Sequence, residues 1–210
     1  MPHSHCGGAS SILAGSTNLY TMAQNKKIIF IPGWMYSPDY FKLGKGINVW
    51  EDDIELSRVI ACDYLIGHSL GAAVALRMWE KNRKVKLILV NPFLGGKSFG
   101  KIFFDWLRYA FEEGVYDSKK RLGIKYLFKN FRKLFMLMKS GYQNILKDVP
   151  KENIKILHGE KDLFLCGKST QCKLKEVGLQ VIEVLGAGHN WHENFDKEIK
   201  KIIGFSPIEK

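Results

Sequence analysis

Apolar residues come along this chain in short dense runs, separated by stretches in which they recur at helical spacing. The first run, Ile28-Ile29-Phe30-Ile31 within Lys27 to Trp34, reads as a buried strand broken by Pro32-Gly33. Asp39 to Leu43 suits a short helix, Ile47 to Trp50 a weak strand and Asp53 to Ile60 another short helix. Cys62 to Ile66 is a third strand and runs into Gly67-His68-Ser69-Leu70-Gly71. Ala72 to Lys81, rich in Ala, Leu and Met, predicts a helix. Val85 to Val90 is a fourth strand, ended by Asn91-Pro92, and Ile154 to Leu157 a fifth. Ser169 to Val177 reads as helix, Leu179 to Leu185 as a sixth strand and Trp191 to Ile203 as a final helix.

Strands that alternate with helices imply an α/β chain. The expectation is a compact, mainly parallel sheet of about six strands with helices on both faces. Residues 94–150 interrupt the alternation with an aromatic, basic, helical stretch. They read as a helical cap inserted over the carboxyl edge of the sheet, where ligands bind in open α/β sheets. The core is then 22–93 with 151–210. Residues 1–21 are small and polar and read as a leader or a disordered arm, because Met22 opens a more convincing start. They lack the basic start and the run of about 7 to 15 apolar residues of a secretory signal.

Composition narrows the class. At 210 residues and 24.0 kDa the chain is long enough for one buried core and short for two. No apolar run reaches the roughly 18 to 20 residues that cross a bilayer, so no stable membrane insertion is expected. The four cysteines lie at no metal-binding spacing and read as reduced thiols of a cytoplasmic protein. His3, His5 and Cys6 cluster near the start, but no second ligand group follows, so neither a metal nor any other cofactor is expected. The net charge of +11 predicts an anionic partner.

The candidate chemistry lies in the loops after the strands. Gly67-His68-Ser69-Leu70-Gly71 is a G-x-S-x-G sequence between an apolar strand and an Ala-rich helix, the context of a nucleophile elbow. Outside that context it would be a plain glycine turn. A serine hydroxyl is a poor nucleophile unless a base takes its proton. Of six histidines, His189 is best placed, in a glycine-rich loop after the last strand; His192 is the competitor. His68 should point away from the serine, and His158, at a strand end, reads as structural. The base needs a carboxylate to hold its tautomer, and His158-Gly159-Glu160-Lys161-Asp162 offers two. Asp162 lies further into its loop and is preferred over Glu160. Asn91, at the end of the preceding strand, leaves the other acid position without a charge. The backbone N–H groups of Leu70 and Trp34 are the candidate oxyanion donors. The Trp34 indole reads as a wall of the acyl pocket or as core.

The Pro-Gly-Trp loop, the Gly-His-Ser-Leu-Gly elbow, the His-Gly-Glu-Lys-Asp strand end and the Gly-Ala-Gly-His loop resemble α/β-hydrolases from residue 27 to about 204. Within that superfamily the compact size, the Gly-Trp after the first strand and the single helical cap are similar to the esterases that demethylate pimeloyl-acyl-carrier-protein methyl ester in bacterial biotin synthesis (the BioH, BioG and BioV types). The chain departs from the common pattern at Pro32, where many members have histidine, and at Ala72, where a third glycine is common. The resemblance implies a serine carboxylester hydrolase with Ser69, Asp162 and His189 as its triad and acyl carrier protein as its partner.

The cap carries a second argument. Residues 94–150 hold 12 Lys and Arg against 5 Asp and Glu, which is +7 of the +11. Ile124, Leu127, Phe128, Phe131, Leu134, Phe135 and Met138 repeat at helical spacing. This stripe is expected to cover an acyl tunnel above Ser69, with Phe128, Phe131 and Phe135 touching substrate. Arg121, Lys125, Lys129, Arg132 and Lys133 are expected on the opposite side, facing an acidic carrier. A charge run is also what a solvated face looks like, and a basic amphipathic helix is also a membrane-surface signal. No nucleic-acid motif is present. A general esterase, lipase or thioesterase without a protein partner, and an inactive binding protein on the same scaffold, therefore stay open.

Overall fold

In a computed structural model of the chain, the residues described are 26–34, 36–50, 61–94, 125–139, 142–147, 149–162 and 167–205, with single helical residues between 100 and 111. The expected arm at 1–21 and the expected helix at Asp53 to Ile60 lie outside them, as does Arg121.

Among the described residues the strands are β1 (Ile28–Ile31), β2 (Lys45–Gly46), β3 (Tyr64–His68), β4 (Lys86–Val90), β5 (Ile154–Gly159) and β6 (Gln180–Val184). The helices are α1 (Leu70–Lys81), α2 (Lys125–Lys139), α3 (Gln143–Lys147), α4 (Lys168–Glu176) and α5 (Glu193–Ile203). The strands form one parallel sheet in the order β2-β1-β3-β4-β5-β6. The chain leaves β1 toward one edge, returns to β3 and then runs to the other edge. The order therefore reverses between β1 and β3, which places the ligand crevice at their carboxyl ends.

The central strands are apolar at nearly every position because helices cover both faces. On one face Ile29, Leu65, Leu87 and Leu89 pack with α1, whose Ala-rich side lets it lie close to β3 and β4. On the other face Phe30, Ile66, Ile88 and Leu157 meet Phe195, Ile199 and Ile203 of α5. Those three α5 residues fall at i, i+4 and i+8, one helix stripe. The helix stops at Gly204, whose φ of 76° is the left-handed cap that glycine adopts without strain.

Two expectations shift. The weak strand at Ile47 to Trp50 is not a strand; pairing stops at Gly46. Val49 and Trp50 instead turn into the core, with the Trp50 indole donating to the Pro32 carbonyl at 3.1 Å. Asp39 to Leu43 gives only a 3₁₀ turn over Pro38–Tyr40.

Between β4 and β5, several described residues enter the core. Leu134, Leu137, Tyr142, Leu146 and Val149 join the core on the α1 side. Asn130 Nδ2 donates to the Trp50 carbonyl at 2.6 Å and Lys133 Nζ to the Val49 carbonyl at 2.7 Å. On α2, Leu134 and Leu137 enter the core, while Phe131 and Phe135 are 52% and 45% exposed. Lys133 is half-buried and turned inward, whereas Arg132 is exposed as expected. The reason is local: the turn at Val49-Trp50 presents carbonyls with no strand partner, and the helix side bearing Asn130, Lys133, Leu134 and Leu137 can satisfy them while filling the core. Lys125, Phe128 and Lys129 lie in the same helix; their side chains are outside the described residues.

Candidate active site

β3 ends at His68, and the chain turns at Ser69 directly into α1. The turn takes φ 54° and ψ −123° at Ser69, a backbone region that L residues rarely occupy. It can be this tight because both flanking positions are glycine. A Cβ at Gly67 would meet the Ala72 Cα at 2.6 Å, and one at Gly71 would collide with the carbonyls of Ile31 and Pro32. Ser69 thus stands at the carboxyl edge of the sheet, above the amino end of α1. There the first amides of the helix have no intrahelical acceptor and favour negative charge.

Three side chains far apart in sequence meet here. The Ser69 hydroxyl lies 2.9 Å from His189 Nε2, and His189 Nδ1 lies 2.9 Å from Asp162 Oδ2. Asp162 can only accept, so Nδ1 carries the proton and Nε2 is free to take one from the serine. All three residues are buried. His189 reaches the serine from the loop after β6, and Asp162 reaches His189 from the loop after β5. A Cβ at Gly159 would strike the carbonyls of Ala187 and Gly188, so only glycine lets the two loops run this close.

Both competing assignments are placed elsewhere. His192 caps α5, its Nδ1 accepting from the Asn194 N–H at 3.2 Å. Glu160 accepts from the Gly186 N–H at 2.9 Å on the surface. His158 is buried within β5, and burial lowers its pKa. The loop bearing Trp34 runs against the elbow: a Cβ on Gly33 would sit 3.1 Å from the Ser69 Cβ. Trp34 follows Gly33 in this loop, and Leu70 follows Ser69 as the first residue of α1. The Trp34 ring is half-buried against the α1-side core, and its enclosed indole N–H has no hydrogen-bond partner among the described residues.

Several residues behind this group escaped the sequence reading. His68 is fully buried, its Nε2 2.9 Å from the carbonyl of His189 and its Nδ1 3.1 Å from the Tyr40 hydroxyl. Burial, with His189 alongside, pushes its pKa down to about 3. The Tyr36 hydroxyl donates to the side-chain oxygen of Asn190. Trp191 packs edge-on to Phe30, Phe41 and His68. The Asn91-Pro92 strand end was the one visible signal, for an amide there cannot serve as the acid. Among the described residues no group of three or more His, Cys, Asp or Glu side chains is arranged to hold a metal ion. No described helix is long and apolar enough to cross a membrane.

No protein-family model matches the sequence, and no curated protein matches it. Solved structures do. The meta-cleavage product hydrolase CumD from Pseudomonas fluorescens IP01 superposes with a TM-score of 0.55 at 14% identity, covering 86% of this chain and 90% of that one. The esterase RhEst1 from Rhodococcus sp. ECU1013 gives 0.52 at 16% identity, covering 86% and 91%. MGS-M2, an alpha/beta hydrolase enzyme from a Medee basin deep-sea metagenome library, gives 0.52 at 13% identity, covering 89% and 91%. At such identities the likeness is one of fold: this chain has the α/β-hydrolase fold.

Proposed function

We propose that the protein is a serine carboxylester hydrolase in which Ser69 is the nucleophile, His189 the general base and Asp162 the residue that orients the base. The observation that carries this reading is the hydrogen-bonded line from Ser69 Oγ through the His189 ring to Asp162, 2.9 Å at each step. His189 Nε2 takes the serine proton as Oγ attacks the ester carbonyl, and the oxyanion is received by the N–H groups of Leu70 and Trp34. Collapse of the intermediate breaks the ester bond, and His189 returns the proton to the departing alcohol. Water then attacks the acyl-serine, gives its proton to His189, and the free acid leaves as Ser69 is reprotonated. That RhEst1 is an esterase on the same fold supports ester chemistry.

A fluorophosphonate probe tests this directly. Labelling of the wild type, lost in Ser69→Ala and abolished or slowed in His189→Ala, is the expected result. Absence of labelling in a folded wild type would favour an inactive binding protein and overturn the assignment.

Within that class we favour methyl-ester cleavage on an acyl chain borne by acyl carrier protein, as in the pimeloyl esterases of biotin synthesis. The support is the +7 carried by residues 94–150 together with the exposed Arg132, Phe131 and Phe135 of α2. An acidic carrier is suited to such a surface. Complementation of a biotin-requiring strain lacking its own demethylating esterase, with Ser69→Ala as control, decides it. Failure to complement with full activity on small free esters would leave a general esterase.

A further inference from the structure

Two fully buried polar side chains, His68 and Asn91, lie beside the relay without belonging to it. Both aim at one atom. His68 Nε2 is 2.9 Å and Asn91 Nδ2 3.2 Å from the main-chain carbonyl oxygen of His189, and Asn91 Nδ2 also lies 2.8 Å from that of Gly188. A carbonyl oxygen has two lone pairs, and here both are taken by side chains from the centre of the sheet. Asn91 reaches in a third direction as well. Its Oδ1 accepts the N–H of Gly159 at 2.7 Å, the last residue of β5 and three before Asp162. The Asn91 backbone has φ 43°, which asparagine tolerates better than most residues.

We propose that His68 and Asn91 are positioning residues that clamp the backbone of the base-bearing loop, and so hold the His189 imidazole in line with Ser69. The inference rests on the relay described above. Asp162 fixes the rotation of the ring but does not fix the peptide that carries it. That peptide sits in an eight-residue stretch, Leu185 to His192, outside regular secondary structure. Its tethers include the hydrogen bonds to Glu160, Lys161, His68, Asn91, Tyr36 and Asn194. Those of His68 and Asn91 act on the main-chain carbonyl of His189 itself.

The proton on His68 is assigned by its partners. Nε2 faces a carbonyl, which only accepts, so Nε2 carries the hydrogen. Nδ1 must then accept, and the Tyr40 hydroxyl donates to it. The order Tyr40 to His68 to His189 has a single polarity, and neutral His68 satisfies it completely. A His68 held this deeply stays neutral in ordinary buffers.

The experiment compares wild type with His68→Leu, His68→Gln and Asn91→Gly. Gln places an amide donor near the position of Nε2, and Gly accepts the positive φ at 91. Hydrolysis of p-nitrophenyl acetate is measured together with melting temperature. Among folded variants, His68→Leu and Asn91→Gly are expected to lower kcat on the order of 10²-fold with KM unchanged, the scale of an ångström's misplacement of a reacting group. His68→Gln is expected to restore most of it. A second reading does not need turnover: the downfield proton resonance of His189 Nδ1–H, sharp in wild type and His68→Gln, should broaden in His68→Leu and Asn91→Gly. Undiminished kcat with an unchanged resonance in a folded His68→Leu or Asn91→Gly overturns the positioning role. So does a His68→Gln no better than His68→Leu. Should His68→Leu not fold, Asn91→Gly decides on the same readings. A wild type that turns over no ester but shows the resonance, broadened in the variants, would sink the hydrolase reading and leave the clamp standing.

Discussion

Ser69 occupies a backbone conformation, φ 54° and ψ −123°, that costs a serine on the order of 1 to 3 kcal/mol. Glycine would not bear that cost. Ser69→Gly and Ser69→Ala should both abolish labelling, but the glycine variant should melt at the higher temperature in a thermal scan, because alanine keeps the strain. Asp162→Asn should leave the fold intact and lower kcat by about 10⁴-fold, since an amide can present its N–H to Nδ1 and hold the ring in the wrong tautomer. Steady-state kinetics on a small ester reads it. His68 gives a pH prediction with a definite sign. Its proton affinity is that of a free histidine, near 6.5, in the unfolded chain and about 3 in the folded one. Below pH 6.5 the unfolded chain binds a proton that the native protein refuses, so stability falls as pH drops from 6.5 toward 3, by up to about 1.4 kcal/mol per pH unit. His158, also depressed by burial, adds in the same direction, and Asp196, raised by burial, opposes it. Urea midpoints at pH 7 and pH 5 should therefore separate less in His68→Gln than in wild type. At this scale Ser69, Asp162 and His189 were legible, because a sharp turn and two strand-end loops leave marks in the sequence. Asn91 and Tyr40 were not: what makes them matter is a neighbour about 100 and 30 residues away, respectively, which no local pattern carries.

Among the elements, β1, β3 to β6 and the helices α1, α4 and α5 were readable to within a few residues, from apolar runs, from helical spacing or, for the mostly polar α4, from its place between two strands. α2 was readable as a helix, but its pattern did not show which residues would enter the core. Its apolar residues spread over too wide an arc to name one face, and the deciding partners, the carbonyls of Val49 and Trp50, lie some 80 residues away. The side they select, with Leu134 and Leu137, predicts where α2 draws stability. Leu137→Ala should cost about 2 to 5 kcal/mol by urea denaturation. Phe131→Ala, on the exposed side, should cost far less despite removing the larger group. Equal losses would mean that the face is wrongly assigned. β2 is short for a related reason: after Gly46 the chain is drawn off the sheet edge to bury Val49 and Trp50.

For the whole molecule, the excess charge is concentrated between β4 and β5, and the inward turn of Lys133 removes one cation from the surface. If an acidic carrier docks there, kcat/KM for a carrier-bound ester should fall steeply between low and high salt while a p-nitrophenyl ester is nearly indifferent. Arg132→Glu should harm only the former. Equal salt response of both substrates counts against the carrier. The sheet order has a consequence of its own for how the protein is made. On the proposed reading the nucleophile follows β3, the acid follows β5 and the base follows β6, so the ribosome delivers the base after both of its partners. A nascent chain released as far as β5 could already shape the elbow, yet its serine would be inert. Reactivity switches on only when the stretch through Ile203 has left the exit tunnel and α5 has pinned the last loop against the sheet. Chains stalled before and after that point should differ abruptly in fluorophosphonate labelling, which makes the relay a clock for the emergence of α5.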